Sequence, residues 1–117
     1  MTSLATVIVT SCLAALFAFA SAIKLLGVAQ SLAIRDHLGI SPSLWRVIGA
    51  LEFAGVVGLL AGLWWSPIGI AAADGLALLS VGAVVSHVRK SDSIAETAPS
   101  IVGLLLAVTT AVLLFAR

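Results

Sequence analysis

Apolar positions in this chain gather into four long runs separated by short polar seams, at about 4–26, 44–65, 67–88 and 99–116. Each run can cross a hydrocarbon core about 30 Å thick, which takes about 20 helical residues. Helices are expected throughout, because an open sheet would leave backbone groups unpaired in lipid. Ser66-Pro67 permits only a tight turn between the second and third runs, with Trp64 and Trp65 where indoles favour the membrane interface. The stretch VAQSLAIRDHLGISPS between the first two runs has the length and mix of a short helix lying on the surface; Gly39 is its expected exit and Ser41-Pro42 the restart. The predicted fold is all-α: one integral membrane four-helix domain over 1–117, with an interfacial helix between spans one and two.

Composition fixes the solvent. Of 117 residues, 62% are hydrophobic and 9% charged, against about 25% charged in an average soluble domain. A soluble fold of this size buries only about two-thirds of the surface its unfolded chain exposes, so lipid must cover the rest. A formal net charge of +1 gives no reason to expect a nucleic-acid partner. The single cysteine, Cys12, excludes an internal disulfide and most cysteine-based metal sites, and is read as packing material midway along the first span. ALFAFASA resembles a cleavage region and VTSC a lipoprotein box, but no Lys or Arg precedes the apolar run, so an uncleaved span is expected.

Four spans place the two longer loops on one side, with both ends and the WWSP turn on the other. Lys24, Arg35, Arg46, Arg89 and Lys90 fall on the first side and Arg117 on the second, so the loops are expected in the cytoplasm and the termini outside, with dual topology as the alternative.

Against that apolar background stands Glu52, inside LWRVIGALEFAGVVGLLAGLWW. An acid near the centre of a span costs about 3 kcal/mol on the insertion scale, and each Leu, Ile, Val or Phe returns about 0.3–0.6. The span still inserts, but Glu52 should face protein rather than lipid. Lys24 and His87 lie within about a turn of the same side on spans one and three, and side chains lean toward their own helix's N-terminus. All three lean toward one level, and lysine's reach helps. The expectation is a polar cluster of Lys24, Glu52 and His87, able to bind a ligand or relay protons. Asp74, about 12 Å from the far end of span three, is expected as a second buried acid. Gly49, Gly55, Gly58 and Gly62 lie on one broad side of span two, and span three offers Ala71, Ala72, Ala73, Gly75, Gly82 and Ala83 as matching small residues. Packing within one chain is the first expectation for this material and a dimer face the alternative. His37, beside Arg35 and Asp36, is read as a solvated interfacial residue rather than a metal ligand.

SAIKL, IGALEFAGVVGLLAGL and GIAAADGLALLSVGAVVSHVRKSD, followed by a proline opening the last span, resemble the DoxX-like family of small four-helix membrane proteins. The resemblance covers nearly the whole chain, and Lys, Glu and His on successive spans are its most specific part. It implies matching positions at Lys24, Glu52, Gly55, Gly62, Ala72, Gly75 and His87, and none at Asp74. About activity it implies less: relatives include a subunit linked to quinone-dependent sulfur oxidation, partners in thiol or oxidative-stress systems, and receptor-assembly chaperones.

Three readings of function follow. In the first, the chain is a redox-associated membrane subunit whose cluster binds a quinone or similar polar headgroup, His87 and Lys24 bonding a carbonyl and Glu52 relaying protons. Its plainer form makes Lys24 and Glu52 a structural ion pair. No haem, flavin or metal motif is present, so a stand-alone enzyme is not expected and no intrinsic cofactor is assigned. In the second, it is an accessory subunit or assembly chaperone that offers a helix surface to a membrane protein partner or to another copy. In the third, it is a small proton-coupled transporter, against which stands the lack of an acid in the first span.

Overall fold

The computed structural model describes residues 3–117. Among the described residues five helices form: α1 (Leu4–Leu25), α2 (Ala29–Leu38), α3 (Pro42–Gly62), α4 (Ser66–Arg89) and α5 (Ile94–Ala116). Four of them, α1, α3, α4 and α5, are long and apolar enough to cross a membrane. Their starts are written in capping residues. Ser3 accepts from the Thr6 amide, Ser41 from Leu44 with Pro42 in the first turn, and Ser93 exchanges bonds with Glu96 in a capping box. Gly39 ends α2 at φ 72°, a left-handed turn that lets its own amide and that of Ile40 close onto the Asp36 and Arg35 carbonyls.

Two boundaries differ from the sequence expectation. The last helix begins at Ile94, not at Pro99, because the capping box is a stronger start than the proline is a stop. Pro99 sits in the second turn and forgoes a single backbone bond. The tight turn between α3 and α4 falls at Leu63–Trp65, and Ser66-Pro67 already opens α4. Trp64 and Trp65 project outward there, 84% and 61% exposed, as interfacial indoles do. Arg117 closes this end of the bundle: its guanidinium donates to the Gly62 and Leu63 carbonyls at 2.7 and 3.2 Å and to Ser66 Oγ at 2.7 Å. These carbonyls lie at the C-terminus of α3, where a cation is favoured.

The spans close into a ring in which α1 packs on α3, α3 on α4, α4 on α5 and α5 again on α1. Every neighbouring pair is antiparallel, because successive spans alternate in direction and the first and fourth close the ring. Inside lie Leu13, Ala14, Phe17, Leu59, Ala73, Leu76 and Ala107, while Phe19, Phe53, Leu78 and Leu105 are among the large apolar side chains turned outward. The bundle therefore presents an oily exterior, as a membrane protein must.

Backbone approach decides which helices touch most closely. At Gly62 an added Cβ would overlap the Gly69 Cα, and at Gly58 and Gly55 it would crowd Ala72 and Leu76. The Gly58–Gly62 stripe is thus filled by α4 of the same chain, with Gly69 as a counterpart that the sequence reading did not single out. Gly75 departs from the expected packing role: a Cβ there meets nothing within 4 Å, because α4 turns Gly69, Ala73, Leu76 and Ser80 inward and leaves Gly75 outside.

Candidate functional site

At the end of the bundle that carries α2, α1 and α3 are joined by charge. Lys24, in the last turn of α1, brings its Nζ to 2.9 Å from Glu52 Oε1, with the two side chains 13% and 6% exposed. The ammonium also donates to the Ala20 carbonyl at 3.4 Å and stands 4.9 Å from the centroid of the Trp45 ring. Trp45, Gly49 and Glu52 follow one another at helical spacing on the buried face of α3. Gly49 admits the lysine stem, since a Cβ there would press on Lys24 Cβ at 3.1 Å and on Leu25. Glu52 is ten residues into α3, about 15 Å along its axis, so the lysine reaches inward from its helix end to meet it. The contact is close but bent: Glu52 Oε1 has no well-aligned hydrogen bond. Such a pair ties two helices together at a set register.

His87 takes no part in that pair, which corrects the expected three-way convergence. Lys24 and His87 stand on α1 and α4, which face each other across the ring rather than along its edge, and His87 turns toward the α4–α5 connection. Ser91 adopts φ 56°, and this left-handed step swings Asp92 back under the helix end. Asp92 Oδ2 then accepts from His87 Nδ1 at 2.7 Å, and Oδ1 accepts from His37 Nε2 at 2.7 Å. A carboxylate can only accept, so the two bonds set the protonated nitrogen of each ring. Asp92 has 5% of its side chain exposed, and the hydrogen bond from His37, followed by that from His87, holds its carboxyl below the usual carboxylate range against desolvation. The Glu96 carboxylate stands beside this clasp at the start of α5. His37, expected to be solvated, is half exposed but bonded, and it fastens the tip of α2 to the far side of the ring. The root of α2 is fastened separately, by Trp45 Nε1 donating to the buried Ser31 Oγ at 2.9 Å.

Asp74 is not a buried acid. It lies on the exposed arc of α4 with Ala71, Gly75, Leu78, Gly82 and Val85, eight residues from the start of the helix and so at membrane depth. Among the described residues no hydrogen bond or ion pair reaches it. Cys12, expected as packing material, also faces outward. Recesses mark the surface of the described residues. A polar one of about 430 Å³ lies by Leu38, Gly39, Ser86, Arg89 and Lys90. An apolar groove of about 580 Å³ runs between α3 and α4 past Leu51, Gly55, Ala72, Gly75 and Leu79.

Asp92, Trp45 and Ser31 were absent from the sequence reading. Asp92 follows His87 by five residues across a helix end, and here the two side chains meet where Ser91 between them turns left-handed. Trp45 and Ser31 are separated by a surface helix whose docking angle no local pattern fixes.

These features define a small polytopic four-helix membrane protein with an ion pair inside the bundle and a polar centre at its loop end. Within that class the chain belongs to the DoxX-like family, whose profile matches residues 8–110. No match was found among curated proteins or among solved structures.

Proposed function

We propose that this DoxX-like protein is a non-catalytic accessory subunit, which holds α4 against a transmembrane helix of another membrane protein. The observation that carries the reading is Asp74, an acid at membrane depth on an outward face. Facing lipid, it costs about 2.5–3.5 kcal/mol of insertion free energy, which a hydrogen-bond donor or cation from a neighbouring helix offsets. The arc around it suits such a neighbour. Ala71, Gly75, Leu78, Gly82 and Val85 repeat at alternating intervals of four and three, the spacing of a helix–helix seam. Added Cβ atoms at Gly75 and Gly82 meet nothing within 4 Å, so another backbone can come close. Charge complementarity favours a different protein over a second copy, because a two-fold pairing would set Asp74 against Asp74 with no cation between them.

The quinone reading has weaker support. It asks Lys24 and His87 to meet one headgroup, whereas the Lys24 ammonium is engaged by Glu52 and His87 Nδ1 by Asp92. A photoreactive residue at Leu78, combined with Asp74→Asn and Asp74→Leu variants, tests the proposal in native membranes. Crosslinking to one membrane protein whose contacting helix carries a donor at the matching depth, kept by Asp74→Asn and lost by Asp74→Leu, is the expected result. Crosslinks to a second copy, or to lipid alone, overturn it. Quinone retained after gentle extraction with no protein companion would favour the redox reading instead.

A further inference from the structure

The loop end of the bundle carries a donor set that the intramembrane pair and the α4 face do not use. His37 closes α2, Asp92 follows the left-handed step at Ser91, and Glu96 stands in the first turn of α5; one ligand atom from each lies within 4.8 Å of the others. We infer that His37, Asp92 and Glu96 form a binding site for a divalent metal ion of zinc type, with His87 orienting Asp92 from behind.

Four features support this. One imidazole nitrogen and two carboxylate oxygens form a mixed set suited to zinc and its first-row neighbours, whereas magnesium and calcium favour oxygen throughout. The carboxylates are held in place: Asp92 is bonded on both oxygens, and Glu96 Oε1 accepts the Ser93 amide at 3.0 Å. His87 stands to Asp92 as outer-shell donors stand to ligating carboxylates, and such partners tune affinity by about 10–100-fold. Finally, two carboxylates and two neutral imidazoles carry a charge opposite and equal to that of a divalent cation.

The required adjustment is on the order of 1 Å, since ligand atoms as far as 4.8 Å apart must close. Ligands at about 2.0–2.1 Å around a tetrahedral ion lie about 3.4 Å apart. His37 Nε2 and Asp92 Oδ1, now 2.7 Å apart, need to part by a fraction of an ångström. The ion takes the place of the proton between them: His37 stays a neutral imidazole by carrying that proton on Nδ1 instead, and water completes the coordination. Three separate segments are then linked through one centre, and α2 is fixed across the mouth of the ring.

Calorimetric titration of tag-free, detergent-solubilised protein with zinc chloride tests the inference, with cobalt(II) absorption reporting coordination geometry. Binding with one-to-one stoichiometry and micromolar or tighter affinity is expected, with magnesium chloride giving no comparable binding. His37→Ala should weaken zinc binding by at least about 100-fold and His87→Gln by about 10–100-fold. Glu96→Gln retains the capping box, since glutamine serves at that position, while removing the ligand's charge, so it separates lost binding from lost folding. Circular dichroism on each variant checks that helix content is kept. Millimolar affinity in the parent protein, or zinc binding unchanged in both His37→Ala and Glu96→Gln, overturns the inference. Neither result bears on Asp74, which lies on another face.

Discussion

Replacing Lys24 and Glu52 separately and together asks whether their contact is structural. At 2.9 Å and an effective dielectric constant near 20, the bare attraction is about 6 kcal/mol, an upper figure because both ions were taken out of water to form it. Breaking such a pair on one side costs about 3–5 kcal/mol, because the remaining charge is stranded; removing both charges with apolar groups of similar size is close to neutral. The positions of the two groups make the singles unequal. Glu52→Leu leaves a lysine at the end of α1 that can bend outward on its long stem, so its penalty should fall near the lower bound. Lys24→Met strands a carboxylate ten residues deep in α3 and should fall near the upper.

Reversible unfolding in detergent, read by helix content, supplies the four free energies of the cycle. The expected result is a double variant, Lys24→Met with Glu52→Leu, within about 1 kcal/mol of the parent and a coupling of about 3 kcal/mol or more. Coupling below about 0.5 kcal/mol would refute the structural role of the contact. The same double variant should still crosslink through Leu78. A folded double variant that has lost its partner would show the charges themselves to be functional.

Three further outcomes follow from the packing. Gly62→Ala should destabilise by about 1–3 kcal/mol, because its methyl meets Gly69 backbone, whereas Gly75→Ala should be neutral or stabilising by up to about 1 kcal/mol; thermal midpoints of the two distinguish them. Ser93→Ala removes half of the capping box and should lower stability by about 1 kcal/mol, with faster amide exchange confined to the first turn of α5. Trp45→Phe deletes the bond to Ser31, worth about 0.5–1.5 kcal/mol, and should speed proteolysis within 29–38 while leaving the spans protected.

The spans were legible because lipid imposes two plain demands, length and apolarity, and 44–65 or 67–88 meets them without reference to anything else. Glu52 and Lys24 were legible as partners for a related reason: few charges are tolerated at that depth, and the lean of each side chain narrows the choice. Orientation about the α4 axis was not legible. Large apolar residues cover both its inner and outer arcs, so nothing in the sequence said that Ala73 and Leu76 turn inward while Asp74 and Leu78 turn outward. His87 was misplaced for a different reason. Its partner comes from the connection that follows its own helix, and the direction of that connection depends on Ser91, a residue type that carries no strong signal for a left-handed turn.

Three of the five acids therefore separate structure from function. Glu52 is answered by Lys24 across α1 and α3, and Asp92 by His37 and His87 across α2 and α4. Both hold the chain to itself, Asp92 at the centre that would also take the metal ion. Asp74 fastens nothing among the described residues, although its depth makes it as costly to keep as Glu52. Replacing Asp74 with leucine should accordingly raise the stability of the isolated bundle, because an acid leaves a lipid-facing surface, and at the same time abolish crosslinking through Leu78. A purely structural acid predicts the reverse sign for stability, and an idle one predicts no change in crosslinking, so stability and partner capture measured on the same variant decide between the three.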